Sequence, residues 1–132
     1  MNPGARKDVF RTTQKQGVGV INMYAVRRGL SQPGLLKSIC ADLVKKGVVA
    51  ARSLNSNDPL DFIIKDGQVS SVPEAAYRFC RHEPGVHVVL TGTGNPDHLK
   101  SNVEAITKPP LTEPVLHRLE EVFGNVDWVS GN

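Results

Sequence analysis

The segment VHVVLTGTGNPDHLKSN, residues 86–102, contains the residues whose types and spacing point most directly to chemistry. Its apolar run 86–90 is typical of a strand buried on both faces of a parallel sheet. Gly92 and Gly94 follow, and a backbone without Cβ atoms can take φ above zero and approach a ligand closely. A strand, a glycine turn and a helix start together aim unpaired backbone N–H groups at one point, which favours phosphate. The same turn also serves as a strand-to-helix connection without a ligand.

A helix start is well marked after this turn. Asn95 is a favoured N-cap, Pro96 suits the first helical position, and Asp97 suits the positive end of the helix dipole. The third glycine of G-x-G-x-x-G is replaced by Asp97, and no Lys with Ser or Thr follows as in G-x-x-x-x-G-K-[ST]. The pattern predicts an anion site without either common nucleotide motif.

The first half of the chain predicts one strand between helices. An amphipathic helix over residues 5–16 precedes a Val- and Ile-rich strand over 17–26. Arg27 and Arg28 then fall in a predicted loop, where they are either solvent residues or partners of a pyrophosphate. A strongly amphipathic helix follows and ends at Gly47.

The second half predicts one more strand and three more helices. The segment 51–70 is polar and turn-rich, and Asp66-Gly67 indicates a turn between two short strands or two helical turns. A helix is predicted from Ser71 or Val72 to His82. After the strand 86–90 and the helix that begins at Pro96, Thr112 heads a last helix.

The resulting order, α, β, α, α, β, α, α, predicts the α/β class with two parallel strands joined by helical crossovers. A sheet of two parallel strands leaves both edges open, which invites association. We therefore expect this two-stranded sheet to associate with further strands.

Three stretches resemble the aldo-keto reductases, the NADPH-dependent (β/α)8 oxidoreductases. LTGTGNPDHLKSNVEAI is similar to the segment around their last barrel strand, in a bacterial-type branch with Thr-Gly-Thr-Gly, and GVGVINMYAV is similar to the preceding strand. PPLTEPVLHRLEEVF extends the similarity downstream. Such a barrel needs about 250 residues, and this chain has 132. The resemblance therefore implies that residues 1–132 form a single segment, the C-terminal portion of a TIM barrel. This partial TIM barrel would consist of the seventh and eighth βα units plus C-terminal helices, with the missing N-terminal barrel segment as a possible partner.

The resemblance also implies a binding site for a nicotinamide dinucleotide. Its residues would be Met23, Gly92, Thr93, Gly94, His98 and Asn102. Gly92 and Thr93 fall where the family's Lys and Ser hold the 2′-phosphate, and His98 falls on the Arg that grips it. Two permanent positive charges are thereby lost, so the expected cofactor is NADP with NAD as an alternative. The alternative to a cofactor-binding role is that His98 is an exposed histidine on a helix and that Met23 is a methionine of the hydrophobic core.

Carbonyl reduction in the family uses an Asp, Tyr, Lys and His tetrad on early strands, and no segment here matches it. We therefore expect no catalytic residue in this chain and no activity from it alone. Two alternatives stay open. One is a phosphate- or nucleotide-binding module without redox activity, and the other is an interaction protein that completes its sheet on a partner.

Composition and cysteine usage narrow the expected partners and the expected cellular compartment. The formal charge is +3 and aromatic residues make up 5%, so nucleic acid is not an expected partner. Cys40 and Cys80 lack metal-ligand spacing and are expected to be reduced thiols. No signal peptide or membrane span is evident, which favours the cytoplasm. Trp128 is expected either to cover a barrel end or to be exposed.

Overall fold

Helices make up most of the fold, beside a small parallel sheet. The computed structural model describes residues 3–66 and 68–127, so the predictions for Gly67 and Trp128 lie outside the described residues. The elements are a π-helical turn Arg6–Phe10, α1 (Arg11–Lys15), β1 (Ile21–Asn22), α2 (Arg28–Ser31), α3 (Pro33–Lys45), a 3₁₀ turn Ala51–Ser53, α4 (Asp61–Asp66), α5 (Val72–Arg81), β2 (Val88–Val89), α6 (Pro96–Thr107) and α7 (Glu113–Phe123). The described residues therefore have the predicted α/β class.

The strands are parallel as predicted but much shorter. The predictions over 17–26 and 86–90 shrink to two residues each, with Ile21 opposite Val88. The first strand ends because the backbone turns away at Tyr24, which has a φ of 60°. Within the described residues no third strand continues the hydrogen-bonded ladder on either side.

One face of this sheet is exposed, contrary to the prediction that both faces are buried. Successive side chains point to opposite faces of a strand, and Val89 is 9% exposed while its neighbours Val88 and Leu90 are 46% and 48% exposed. On the other strand, Ile21 and Met23 are 60% and 56% exposed. We call these four apolar side chains, Ile21, Met23, Val88 and Leu90, the open sheet face. Helices cover only the opposite face.

Local signals predicted from the sequence mark some of the helix boundaries. The Ser71 hydroxyl accepts a hydrogen bond from the N–H of Glu74 at the start of α5. Gly47, with a φ of 71°, follows the end of α3. The loop predicted for Arg27 and Arg28 is confirmed for Arg27 and wrong for Arg28, because α2 begins at Arg28. In the polar segment 51–70, the helical alternative is the one observed, as α4.

The buried apolar residues form two clusters. The larger one lies among α3, α4, α5 and α7 and includes Leu43, Ile63, Val115 and Phe123. The smaller one lies between the sheet and α5 and α6, and consists of Phe10, Ala25, Tyr77, Val86, Val89 and Ala105. Cys40 and Cys80 are free thiols. Burial raises the pKa of Cys80 to about 11, so its reactive thiolate is scarce at neutral pH.

Arg78, although charged, is only 6% exposed and connects separate segments of the chain. Its guanidinium donates to the carbonyls of Gln68 at 3.0 Å, Pro109 at 2.8 Å and Pro110 at 2.9 Å. It also donates to the carboxylate of Glu74 at 3.2 Å, and Glu74 is 7% exposed. The planar guanidinium thus holds α5 against the loop before it and the loop between α6 and α7.

The Glu74 carboxylate has three further donors. The Ser70 hydroxyl lies 2.7 Å away, the Ser70 N–H 3.2 Å away and the Lys108 Nζ 3.0 Å away. Burial alone would raise the pKa of Glu74, but hydrogen bonds from Ser70, Lys108 and Arg78 more than offset it and lower the pKa from 4.5 to about 2. The charged form is therefore favoured in the folded chain.

This pKa shift predicts an acid-sensitive stability. Because the folded pKa is below the unfolded one, the stabilisation is complete above pH 4.5 and is lost as the pH falls toward 2. Glu74→Gln should remove this pH dependence and should cost about 3 kcal/mol at pH 7, since Arg78 is left buried without its counter-charge. Urea unfolding followed by circular dichroism at pH 7, 4 and 3 measures both effects.

The matched control is Glu121→Gln. Glu121 forms an ion pair with Arg118 at 3.4 Å, but its side chain is 64% exposed, so the free energy of unfolding should change by less than about 0.5 kcal/mol. If the parent and Glu74→Gln lost stability in parallel below pH 4.5, a different group would be responsible for the acid sensitivity.

Candidate functional site

The glycine turn lies where the sequence predicts it, between the end of β2 and the start of α6. The Leu90 N–H donates to the Asn22 carbonyl at 2.9 Å in the last hydrogen bond of the ladder. The chain then leaves the sheet, and α6 begins at Pro96. The turn therefore sits at the carboxyl end of a parallel strand and at a helix N-terminus.

Asn95 is the N-cap of α6, as predicted, and this changes which N–H groups can face a ligand. Its Oδ1 accepts hydrogen bonds from the N–H of Asp97 at 2.9 Å and of His98 at 3.4 Å. The Asn95 N–H itself donates to Thr93 Oγ1 at 3.2 Å. The chain itself therefore pairs the N–H groups of Asn95, Asp97 and His98.

Three backbone donors remain in the turn. The N–H groups of Gly92, Thr93 and Gly94 donate to no acceptor in the described part of the chain, and all three residues are exposed. The backbone N–H groups that remain without an acceptor thus lie in the turn that precedes the helix rather than at the helix N-terminus itself.

The two glycines are not needed for an unusual backbone conformation. Neither Gly92 nor Gly94 has a φ in the left-handed region, and a Cβ placed on either one would meet nothing within 4 Å. The expectation that the turn uses φ above zero at these glycines is therefore wrong. What the glycines provide is open space above the backbone, which a side chain would fill.

Asn102 is held in place by a short chain of hydrogen bonds. Its Nδ2 donates to Thr91 Oγ1 at 2.8 Å, and the Tyr77 hydroxyl lies 2.8 Å from the same oxygen. The amide oxygen of Asn102 accepts no hydrogen bond from the described residues. Sequence reasoning missed Thr91 and the hydroxyl of Tyr77 as supports, although a Thr between a strand and a glycine turn is a usable signal.

The two remaining predicted residues are exposed. The side chain of His98 makes no hydrogen bond or ion pair within the described residues, which is compatible with either interpretation of that residue. Met23 belongs to the open sheet face and is 56% exposed, which does not support a core role. Met23 directly follows β1 and Leu90 directly follows β2, so both lie at the end of the sheet from which the glycine turn departs.

The loop arginines have different surroundings. The Arg27 guanidinium lies 5.4 Å from the centre of the Tyr24 ring, a cation–π distance. Arg28 is exposed at the start of α2.

Across residues 3–66 and 68–127, no helix is long and apolar enough to cross a membrane. The same residues contain no group of three or more His, Cys, Asp or Glu side chains placed to hold a metal ion.

Comparison with known proteins assigns the family. At 19% sequence identity and a TM-score of 0.54, the fold is similar to that of aldo-keto reductase AKR11C1 from Bacillus halodurans in its holo form. The match covers 98% of this chain and 41% of that chain, so this chain spans less than half the length of that relative. Residues 1–123 match the model of the aldo/keto reductase family. The chain therefore belongs to the aldo/keto reductase family.

Proposed function

We propose that this chain is the C-terminal, cofactor-binding part of an NAD(P)H-dependent aldo-keto reductase, an oxidoreductase that converts a carbonyl to an alcohol. It would supply the seventh and eighth βα units and the C-terminal helices of the barrel. The observation that carries the proposal is the glycine turn at the carboxyl end of β2, with three N–H groups unused by the described residues. Ligands of (β/α)8 barrels bind at that end of the strands, often with phosphate near strands seven and eight.

The phosphate of the cofactor binds to the turn through neutral donors. The N–H groups of Gly92, Thr93 and Gly94 supply three hydrogen bonds. Thr93 supplies a fourth, because its oxygen already accepts from Asn95 and its hydroxyl hydrogen is left to donate. Charge is not required for this coordination, but it sets the preference between NADP and NAD, and His98 is the nearest candidate to supply it along α6.

The adenine edge binds to Asn102. Because Thr91 fixes Nδ2, the amide oxygen has a defined orientation and can accept a hydrogen bond from an exocyclic amine. A side chain that is already oriented loses less conformational entropy when the ligand binds. The Tyr77 hydroxyl, bonded to the same threonine, supports this arrangement from α5.

The nicotinamide end lies against the open sheet face. Met23 has an exposed thioether at the carboxyl end of β1, and a polarizable thioether packs well against a flat ring. The rest of the open sheet face would line the barrel interior, where layers of apolar side chains normally pack. We assign its cover to the other βα units of the same barrel, which would also pair both open strand edges.

The role of the glycine turn predicts a specific loss of binding in Gly94→Val. A Cβ at this position meets no protein atom within 4 Å, so stability should change little, whereas the side chain fills the space that a phosphate would occupy. NADPH affinity, measured by calorimetry, should fall by at least about tenfold, the equivalent of 1.4 kcal/mol.

Gly19→Val is the matched control, because a Cβ there also meets nothing within 4 Å and the residue lies outside the turn. It should bind NADPH like the parent chain. The titrations should be made with the isolated chain and with a full-length barrel completed by fusion. Equal NADPH affinity of Gly94→Val and the parent in the completed barrel would contradict phosphate binding by this turn.

His98→Arg is expected to raise the affinity for NADP by about tenfold and to leave that for NAD almost unchanged. Arginine adds a permanent charge and a bidentate grip on the 2′-phosphate, a group that NAD lacks. Thr107→Arg adds the same charge at the far end of α6 and is the control. An equal gain for both cofactors would show that residue 98 does not contact the 2′-phosphate.

The open sheet face predicts the result of a complementation experiment. The chain alone should not oxidise NADPH with any aldehyde above a heat-killed control, whereas a fusion to the first six βα units of an aldo-keto reductase should. Ile21→Glu should abolish the activity of the fusion, because it buries a charge in the barrel interior. In the isolated chain the same change should alter the free energy of unfolding by less than about 0.5 kcal/mol, since Ile21 is 60% exposed.

Val9→Glu provides the matched control. Val9 is 43% exposed but lies on the N-terminal helical segment rather than on the open sheet face, so its fusion should keep activity. A fully active Ile21→Glu fusion would contradict the assignment of this face to a barrel interior. Binding without turnover in an intact fusion would favour a non-catalytic nucleotide-binding module, and the absence of both would favour a sheet-completing interaction protein.

A further inference from the structure

The imidazole of His87 forms the first link between the two strands. The Val20 N–H, directly before β1, donates to the Nδ1 of His87 at 3.1 Å. The His87 N–H donates to the Val20 carbonyl at 3.0 Å, and the Val88 N–H donates to the same carbonyl at 3.2 Å. Val20 and His87 therefore pair in both directions, directly before the strands begin.

A side chain thus takes the place of a backbone group in the ladder. Between parallel strands, a ladder N–H donates to a backbone carbonyl of the neighbouring strand, and a carbonyl accepts at every pH. An imidazole nitrogen accepts only when it carries no proton. Because the Val20 N–H is a donor, the Nδ1 of His87 is the unprotonated nitrogen and the proton of the neutral ring is on Nε2.

Protonation of the ring removes this link. An imidazolium has an N–H donor at both nitrogens, so Nδ1 and the Val20 nitrogen would present two hydrogens to each other across 3.1 Å. Histidine is the side chain whose charge ordinarily changes between about pH 5 and 8. His87 is exposed, so protons reach its ring without unfolding of the chain.

The charged groups around His87 supply no counter-charge for an imidazolium. Residues 17–22, which face it from β1 and the loop before, include no titratable side chain. Glu83, on the turn before β2, is already paired with Arg6 at 2.6 Å. Within the described residues no carboxylate forms an ion pair with His87. The N-terminal helical segment, which packs beside Gly85 through Phe10, carries mostly cations: Arg6, Lys7, Arg11 and Lys15 against Asp8.

His82, at the end of α5, responds to acid in the opposite way. Its Nε2 lies 2.9 Å from the carbonyl oxygen of Lys108. A carbonyl can only accept, so this nitrogen donates, and it keeps its hydrogen when the ring is protonated. The link from α5 to the end of α6 therefore persists in acid, whereas the link between the strands does not.

We propose that His87 is a pH-sensitive fastener of the strand pair. The neutral ring holds the Val20 N–H at the start of the ladder, and protonation releases it. The remaining ladder bonds, such as that from the Leu90 N–H to the Asn22 carbonyl, join backbone groups and do not titrate. Release therefore loosens the start of the ladder and leaves its other end in place. Nothing in this assignment depends on the cofactor site.

The hydrogen bond can be observed directly by NMR in the 132-residue chain. A scalar coupling between the backbone nitrogen of Val20 and the Nδ1 of His87 should be present at about pH 8 and lost at about pH 5. The protection of the Val20 amide against hydrogen exchange, corrected for the intrinsic rate, should fall about fivefold or more, as for one hydrogen bond. That of the Leu90 amide should change by less than about twofold. Both conditions lie above pH 4.5, where the Glu74 carboxylate still stabilises the fold.

Three variants separate the acceptor from its titration. His87→Asn keeps an acceptor, because its Oδ1 occupies about the place of Nδ1, and should give high Val20 protection at both pH values. His87→Leu has no acceptor and should give the low value at both. His82→Gln is the matched control, since its Nε2 still donates to the Lys108 carbonyl, and should show the same pH dependence at Val20 as the parent.

The outcomes are decisive in either direction. Absence of the coupling at both pH values, or Val20 protection that does not change in the parent, would overturn the assignment. A pH dependence that persists in His87→Asn would do the same. Equal loss of protection at Val20 and Leu90 would assign the acid sensitivity to the whole fold rather than to this link.

Discussion

The buried pair of Arg78 and Glu74 organises the helical part of this molecule. A guanidinium that donates to three carbonyls and one carboxylate leaves little freedom in the loops that supply them. Removing a charge from water costs several kcal/mol, and that cost is offset only when all these partners are in place. Because the partners come from both ends of the segment 68–110, the pair couples the placement of α5 to that of α6, the helix that begins at the candidate site.

One face of the sheet is packed against helices and the other is exposed. On the helix side, apolar residues of both clusters are packed, whereas on the other side four large apolar side chains are exposed. Unpaired edges of a parallel sheet are templates for association. The described sheet is thus covered by helices on one face and open on the other. This asymmetry fits a partial (β/α)8 barrel, and the chain covers 41% of the length of a solved relative.

The features that could be predicted from sequence depend on local chemistry. Asn95 and Ser71 cap the helices where their side chains reach nearby N–H groups. Strand length could not be predicted in this way, because the length of a hydrogen-bonded ladder depends on the neighbouring strands. The positive φ of Tyr24, where the first strand ends, could not be predicted from the local sequence pattern either. The buried role of Arg78 was also hidden, since an arginine on an amphipathic helix normally marks its solvated side.

Part of the candidate site was predictable and part was not. The glycine turn and its helix were located correctly from residue types alone. Asn95 pairs some of the backbone N–H groups in this region and leaves others without an acceptor. Which groups it pairs depends on side-chain geometry, which the spacing of residues in the sequence does not encode. The same holds for Asn102, whose orientation is set by Thr91 and Tyr77 from two other parts of the chain.

The internal capping of α6 has a kinetic consequence. Because Asn95 satisfies the first N–H groups of the helix without any ligand, the helix has the same hydrogen bonds whether the turn is empty or occupied. If a phosphate binds at the turn as proposed, its exchange would require no unwinding or refolding of the helix. Its residence time would then be set by the strength of its own contacts, and its arrival would be limited by diffusion and orientation rather than by a conformational step.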